Sequence, residues 1–292
     1  MNGDYSVDEL IAVCISRQVV DGEILAHGIG TPLVAAGYLL ARLTHAPNVT
    51  FISAIGQALC RDPAPLGITT VETLWIRQGL QTFGFAQVAA DLLPRFGPKE
   101  FFRPGQIDAH GNFNNVFMGG SYGQPRLRLP GSGGIPDVTV FEENVYLYVP
   151  RHGRHTFVPR LDFRSGLGHD PARRRGQGPR YLVSDLGQFD FAPSGEGGAA
   201  RMRLLSLHPG VELGRVQART GFELLVDGPP AETEPPSREE LRLLREEIDP
   251  LGVRALETLS GAARRERLRA ILQAERALAL RATGGHNGTG LD

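Results

Sequence analysis

The sequence predicts an α/β fold, namely a three-layer αβα sandwich built on a mixed sheet. Short apolar segments of strand length alternate with segments whose apolar residues recur at helical spacing. Glycine-containing turns follow several of the predicted strands, and short, partly alternating segments after residue 180 are typical of antiparallel strands. Ligands of such sheets bind in the crevice beyond the carboxyl ends of the strands, so we expect the functional site there.

The first elements form a helix, a strand, a glycine turn and a second helix. Residues 7–20 carry apolar side chains at helical spacing, and Ser6 with Glu9 three residues later is typical of a helix start. A short buried strand is predicted over residues 24–26. The sequence Gly28-Ile29-Gly30-Thr31-Pro32 then leads into the second helix, whose first N–H groups can bind an anion or a carbonyl oxygen.

The later elements are shorter. An apolar run at residues 49–53 is compatible with a parallel strand that is covered on both faces. Residues 227–237 form a proline-rich linker, after which Ser237 and Glu240 indicate another helix start. The other predicted elements are a helix around 84–93, strands over 113–118, 138–141 and 145–149, an antiparallel meander over 181–184, 189–191 and 202–207, and a short helix over 216–220.

Composition excludes several classes of protein. The 292 residues include 31 basic and 32 acidic side chains, and this balance argues against nucleic acid or an anionic membrane surface as a partner. No apolar run reaches the roughly 18 residues of a membrane span, and the acidic N-terminus does not resemble a secretory signal. We therefore expect a cytoplasmic protein. The two cysteines cannot form a disulfide framework, and no spacing is typical of a metal site.

Two segments between residues 105 and 134 are unusually rich in glycine or polar side chains. The sequence Gly131-Ser132-Gly133-Gly134 lets the backbone approach another molecule closely, because glycine has no Cβ; a tight turn that needs positive φ is the alternative explanation. Gln106, Asp108, Asn112 and Asn114 are interpreted as structural residues that brace loops by hydrogen bonds.

These segments, together with the first glycine turn, resemble the signatures of the β subunit of class I coenzyme A transferases. The similarity extends over roughly residues 7–250 and points to the glutaconate CoA-transferase and steroid-ring-cleaving CoA-ester hydrolase branches. It implies a CoA-transferase-like version of the same three-layer fold. It also implies that the glycine turns line the acyl-CoA pocket and stabilise a thioester oxyanion through main-chain N–H groups. The residues concerned are Gly28, Gly30, Gly131, Gly133 and Gly134.

The sequence departs from that family where the transferases place a nucleophilic glutamate. The aligned segment reads Phe51-Ile52-Ser53-Ala54-Ile55-Gly56, so Ser53 occupies the position of the glutamate that carries CoA covalently. Ser53 is the candidate catalytic residue, although a serine nucleophile needs a base and none is adjacent; hydrogen bonding at a strand end is the alternative. The next acids along the chain, Asp62, Glu72 and Glu100, do not end a predicted strand, and we do not expect a nucleophile among them.

Two further groups are weaker candidates. His27 precedes the first glycine turn and is the histidine best placed to face the crevice, but a lone histidine is more often structural. Arg173, Arg174, Arg175 and Arg180 form a basic group that can bind a CoA phosphate or an acidic substrate; a solvated surface is the alternative interpretation.

The resemblance implies a β subunit of a hetero-oligomeric enzyme that acts on acyl-CoA thioesters and is active only with a separately encoded α subunit. Coenzyme A is then part of the substrate, and we expect no permanently bound cofactor and no metal. The missing glutamate leaves the reaction open. Transfer of CoA is one alternative, and hydrolysis, ring cleavage at a C–C bond or decarboxylation with a carboxylate from the α subunit is another. A non-catalytic scaffold subunit is the third.

Three regions are expected along the chain. Residues 1–250 form the CoA-transferase β-subunit-like domain, residues 251–282 an appended arginine-rich helix that packs on a neighbouring subunit, and residues 283–292 a disordered tail.

Overall fold

The predicted α/β sandwich is confirmed: helices pack on a ten-stranded mixed sheet. The computed structural model describes residues 4–28, 30–53, 57–62, 65–69, 78–171, 173–193 and 198–284. The strands are β1 (Ile24–His27), β2 (Thr50–Ser53), β3 (Ala58–Cys60), β4 (Gly79–Thr82), β5 (Lys99–Phe102), β6 (Gln106–Ile107), β7 (Phe113–Asn114), β8 (Phe117–Gly120), β9 (Pro125–Arg128), β10 (Val145–Val149), β11 (Tyr181–Ser184), β12 (Gly187–Pro193), β13 (Ala200–Leu207) and β14 (Ala231–Glu232).

The main sheet has a parallel centre and antiparallel flanks. Its order is β14-β13-β12-β11-β10-β5-β1-β2-β3-β4, while β6 pairs with β7 and β8 with β9 in two small sheets. The five strands from β11 to β2 are parallel to one another, and all five residues of β10 are buried, as both-sided cover requires. The predicted meander is confirmed, because β11, β12 and β13 pair antiparallel in sequence.

One face of the sheet is covered by α1 (Val7–Ser16) and α2 (Pro32–Leu43). The predicted start of α1 is confirmed, since the main-chain N–H of Ser6 donates to Glu9 at 2.8 Å in a capping box. Apolar side chains of both helices pack with Leu25 of β1 and Phe51 of β2 in the largest core cluster.

The opposite face carries shorter helices. A helical segment runs through Phe85–Gln87, the π-helical Val88–Leu92 and Leu93–Phe96, and is followed along the chain by α3 (Ile135–Phe141) and α4 (Leu213–Arg219). The strand predicted over 138–141 is wrong, because this stretch belongs to α3. Its β-branched residues favour a strand locally, but Pro136 suits the first turn of a helix, and Ile135 and Val138 pack against the second core.

The C-terminal part begins with α5 (Arg238–Arg242), which has the predicted capping box of Ser237 and Glu240 and continues into the π-helical Leu243–Ile248. A 3-10 turn, Val253–Glu257, and α6 (Gly261–Gly284) follow. Side chains from both belong to the first core, namely Val253, Leu256 and Ile271. Residues just beyond position 250 are therefore part of the packed sandwich. The predicted tail from residue 285 onward lies outside the described residues. None of the helices in the described part of the chain is long and apolar enough to cross a membrane.

A buried arginine joins this C-terminal part to the N-terminal helix. The guanidinium of Arg254 contacts Asp8 at 3.0 Å and donates to Glu9 and to Asp249 at 2.9 Å each. Burial acts to raise the pKa of Glu9, but hydrogen bonds from Arg245 and Ser6 and the charge of Arg254 hold it at about 2. Glu9 therefore stays ionised at neutral pH, and the three buried acids surround a single arginine.

Replacing Arg254 with methionine should therefore destabilise the fold strongly. The change leaves buried carboxylates without their cation, and we expect a loss of about 3–5 kcal/mol in the free energy of unfolding, measured by urea denaturation. Arg242→Met is the matched control, because Arg242 pairs with Glu239 and Glu247 at the surface, and it should have little effect. Equal stability of the two variants would contradict this account.

Candidate functional site

The order of the strands predicts a binding crevice beside β1. The chain passes from β1 through α2 to β2 on one side of β1, whereas β5 pairs with β1 on its other side. The connections from neighbouring strands therefore diverge between β1 and β5, and a parallel sheet opens a binding crevice at the carboxyl ends of such strands. The glycine turn after His27 and the end of β2 at Ser53 both lie at this edge.

Gly28 and Gly30 have different structural reasons to be glycine. Gly30 has φ +64°, a left-handed conformation that favours glycine, so the turn itself explains this residue. Gly28 has ordinary φ, and a Cβ placed on it would meet one group, Oε1 of Glu100 at 3.7 Å, which is normal van der Waals contact. Ile29 lies outside the described residues. The backbone thus does not require glycine at position 28.

His27 and Ser53 are neighbours across the two strands. They are register partners in the parallel pair of β1 and β2, so the structure supplies a histidine beside the serine that sequence adjacency does not reveal. Burial lowers the pKa of His27 to about 4, although a hydrogen bond to the main chain of Thr31 acts to raise it. Such an imidazole is a weak base, and Ser53 is only 3% exposed. This pair is poorly suited to nucleophilic attack on a bulky thioester. Ala54 to Gly56 lie outside the described residues.

The start of α2 is bound by a carboxylate of the chain itself. Glu257 accepts a hydrogen bond from the N–H of Leu33 at 3.0 Å. Its other oxygen accepts from the Tyr148 hydroxyl and from Arg103, both at 2.9 Å. The anion-binding position expected at this helix start is thus partly filled from within the chain, and Glu257 fixes the glycine turn to β10 and to the end of β5.

The second glycine turn precedes α3. Gly131 and Gly133 have φ of +110° and +51°, so the backbone conformation alone favours glycine at both. Gly134 has φ −79° and is the residue before the first turn of α3. The N–H of Gly131 donates to the carbonyl of Asn115 at 2.9 Å. No atom of the described residues lies within 4 Å of a Cβ built on Gly131 or Gly133, so this turn faces open space.

The four polar residues after position 105 bond to one another and to nearby loops. Gln106 accepts a hydrogen bond from Asn114 at 2.7 Å and donates to Asp162 at 2.7 Å. Asp108 accepts from the main chain and the side chain of Asn112, both at 3.0 Å. These contacts keep the four side chains within loop connections.

One arginine of the basic loop bonds to the main chain of its own region, whereas Arg174, Arg175 and Arg180 are exposed. Arg173 donates to the carbonyls of Thr139, Leu167, Gly168 and Arg175 at 2.7 to 3.2 Å, so its guanidinium organises the loop. This arrangement favours the structural interpretation of Arg173 over phosphate binding.

Glu100 is the residue that sequence reasoning undervalued. It is the second residue of β5 and pairs with Ala26 of β1 and Val145 of β10, which places it in the centre of the sheet beside the crevice. Asp62 is exposed and pairs with Arg42, and Glu72 lies outside the described residues. Only β5's position between β1 and β10 reveals Glu100, and no local motif marks that position.

Glu100 and Glu142 have the strongly raised pKa values of this region. Burial, and then the charge of Glu142, raise the pKa of Glu100 to about 8. Burial, and then the charge of Glu143, raise the pKa of Glu142 to about 7. Glu100 is therefore mostly protonated at neutral pH, and carboxyls with such pKa values are suited to act as proton donors and acceptors.

The strand order defines an α/β protein built on a mixed sheet, and sheets of this class bind their ligands at the carboxyl edge of the parallel strands. No family model matches the sequence. The chain is 30% identical to the B subunit of 3-oxoadipate CoA-transferase of Pseudomonas knackmussii over 82% of this chain and 92% of that protein. It is 33% identical to the cholesterol ring-cleaving hydrolase IpdB subunit of Rhodococcus jostii over 80% of this chain and 88% of that protein.

Solved structures of CoA-transferase-related enzymes are similar to this chain as well. The AibA/AibB decarboxylase matches with a TM-score of 0.73 and 28% identity, covering 86% of this chain and 98% of that chain. Glutaconate coenzyme A-transferase of Acidaminococcus fermentans matches with a TM-score of 0.74 and 25% identity, covering 85% and 96%. The protein belongs to the class I coenzyme A transferase family, as a β subunit.

The raised pKa of Glu100 predicts a pH-dependent difference in stability. A carboxyl whose pKa rises on folding binds more protons in the native state than in the unfolded state. Its contribution to the free energy of unfolding is therefore fully present below about pH 4.5 and is lost as pH rises through about 8. We expect Glu100→Gln to gain about 1–3 kcal/mol relative to the unsubstituted protein between pH 5 and pH 8.

The measurement is urea denaturation of both proteins across this pH range. Three buried histidines, His27, His152 and His208, have lowered pKa values and make stability change with pH in the opposite direction. Their effect is the same in the variant and in the parent protein, so it cancels in the difference between the two. Glu223→Gln, at an exposed carboxylate, is the control and should show no such trend. A difference between the Glu100 variant and the parent that does not vary with pH would refute the assignment.

Proposed function

We propose that this chain is the β subunit of a two-subunit enzyme that acts on acyl-CoA thioesters, with part of the active site on an α subunit. The names of its relatives support this: two are B subunits of CoA-transferases, and one similar structure is the AibA/AibB decarboxylase. The crevice between β1 and β5 is the part of the site that this chain contributes.

Among the reactions open to such a subunit, hydrolytic C–C cleavage or decarboxylation of the acyl group is favoured over transfer of CoA. The single observation that carries this choice is the end of β2, where Ser53 and the next three residues contain no carboxyl group. Transfer through an enzyme-bound CoA thioester needs a carboxylate nucleophile. Hydrolytic C–C cleavage and decarboxylation do not need that intermediate.

The scaffold alternative is less consistent with the crevice. A subunit that only supports its partner has no need for a partly buried carboxyl of strongly raised pKa, since such a group is unfavourable to fold. Carboxyls of this kind are concentrated at functional sites.

The test is to purify the chain together with its candidate α subunit and to incubate the complex with a panel of acyl-CoA esters. Samples trapped with borohydride or hydroxylamine are analysed by mass spectrometry. We expect turnover without a CoA adduct on this chain. An adduct would establish transfer chemistry, and lack of turnover with every ester would support the scaffold.

Ser53→Ala separates the remaining covalent mechanism. Because Ser53 is buried beside a weakly basic histidine, we expect this variant to keep its turnover within a few-fold of the unsubstituted complex, measured with the same ester. A loss of 100-fold or more would show instead that Ser53 takes part in the chemistry.

A further inference from the structure

Glu100 projects toward the crevice from the central strand of the parallel sheet. Side chains alternate along β5: Phe101 packs in the first core cluster, with the helices α1 and α2, and Phe102 in the second. Glu100 therefore shares its face with Phe102 and with Ala26. Its Oε1 atom lies 3.7 Å from the position of a Cβ on Gly28, the residue that directly follows β1. The carboxyl thus reaches the edge where strand ends and the glycine turn meet.

The surroundings of this carboxyl differ from those of the buried acids that hold the fold together. Glu9 is paired with Arg245 and Arg254, and Glu257 with Arg103. Among the described residues, no cation pairs with the carboxyl of Glu100 and nothing donates a hydrogen bond to it, although it is partly buried. The described part of the fold gives no reason to keep an acid here, because a partly buried carboxyl to which none of its residues donates is unfavourable.

The space in front of this carboxyl is kept open by Gly28. The φ of Gly28 is ordinary for any residue, and a Cβ would create no clash with the described residues, so neither backbone strain nor crowding by them explains the glycine. What a side chain at position 28 would remove is access to Glu100. A glycine at position 28 thus leaves the side of the carboxyl that faces this turn free of a side chain.

The surrounding charges favour the protonated form. Glu142 is buried and its charge acts on Glu100, while Lys99, on the opposite face of β5, is paired with Glu23. The other charged groups on the described helices of this face, and the one next to Glu142, are exposed, namely Asp91, Arg95, Asp137, Glu143, Arg215 and Arg219. The nearest titratable influence is therefore a second carboxyl, which opposes ionisation of the first.

We propose that Glu100 is the acid that protonates the enolate of the CoA thioester formed when the bond to the α-carbon breaks. This inference rests on the proposed function and names the reacting group that this chain supplies. In decarboxylation, the electron pair of the breaking bond enters the thioester enolate and CO2 departs. In hydrolytic C–C cleavage, water first adds to the carbonyl of the fragment that leaves; the electron pair of the breaking bond then enters the thioester enolate, and the fragment departs as a carboxylic acid. The O–H bond of Glu100 then breaks, its proton adds to the α-carbon, and solvent reprotonates the carboxylate left on Glu100.

The test uses the purified complex with its α subunit and the CoA ester that the unsubstituted complex turns over. Glu100→Gln should lower kcat by about 100-fold or more while KM changes little, since the proton donor is lost and the size of the side chain is kept. In D2O, the unsubstituted complex should exchange the α-hydrogens of the acyl-CoA product for deuterium through the carboxylate form, and mass spectrometry should find this exchange absent in Glu100→Gln.

Two further variants distinguish chemistry from structure. Glu142→Gln removes the opposing charge, so the fall of kcat at alkaline pH, expected near pH 8 in the unsubstituted complex, should move to lower pH. Gly28→Ala should leave thermal stability unchanged and lower kcat/KM by about 10-fold or more, because the added methyl group stands before the carboxyl. Glu223→Gln is the exposed control and should behave like the unsubstituted complex in every measurement.

The results of these experiments either support or refute the role of Glu100. Glu100→Gln with undiminished kcat and undiminished exchange overturns the inference and leaves the proposed function intact. An unsubstituted complex that turns over no CoA ester refutes the proposed function, and the inference with it. Loss of kcat, loss of exchange and the alkaline shift together establish Glu100 as the proton donor.

Discussion

The parallel pairing of β1 with β2 on one side and β5 on the other is the constraint on which the site depends. It brings the ends of three strands that are distant in sequence to one edge, with His27 beside Ser53 and Ala26 beside Glu100. A shift of β5 by one residue would turn Glu100 toward α1 and α2 and would turn Lys99 toward the opposite face, where Glu100 now lies. The register of this short strand therefore decides which side chain the crevice contains.

Charged groups in the interior serve the fold at most other positions. Arg254 holds acids from α1 and from the stretch after α5 in one cluster, and Glu257 joins the start of α2 to Tyr148 and Arg103. Both residues come from the 3-10 turn, so a segment of five residues secures two helices against the sheet. Buried ion pairs of this kind stabilise only when every partner is present, and the carboxyl of Glu100, which has no cationic partner among the described residues, stands apart from them.

The surroundings of Ser53 and Glu100 are consistent with the proposed reaction, which needs no carboxylate at position 53. Ser53 lies where that glutamate is expected, yet its burial and the low pKa of His27 make it a poor nucleophile. The acidic group that we propose to react instead lies on β5, on the other side of β1, and its carboxyl lies beside Gly28. An enzyme that breaks a C–C bond next to a thioester needs a proton at the α-carbon, and a protonated carboxyl meets that need.

The sequence predicted those structural features that depend on interactions between residues close together in the chain. The capping boxes at Ser6 and Ser237 fixed the starts of α1 and α5, and the glycine turn after β1 follows from residues adjacent in the chain. The strand predicted over residues 138–141 was wrong. Packing of Ile135 and Val138 against the second core outweighed the local preference of these residues for a strand.

The α/β class, the mixed sheet and the presence of a serine rather than a carboxylate at position 53 were determined by the sequence itself, since they depend on hydrophobic periodicity and residue identity. Only the tertiary structure decided that Glu257 fills the start of α2 and that Glu100 meets Gly28. Those contacts join residues separated by many tens of positions, and strand order and burial determine them. A side chain's charge state likewise depends on the neighbours that folding brings near, and no local pattern encodes those neighbours.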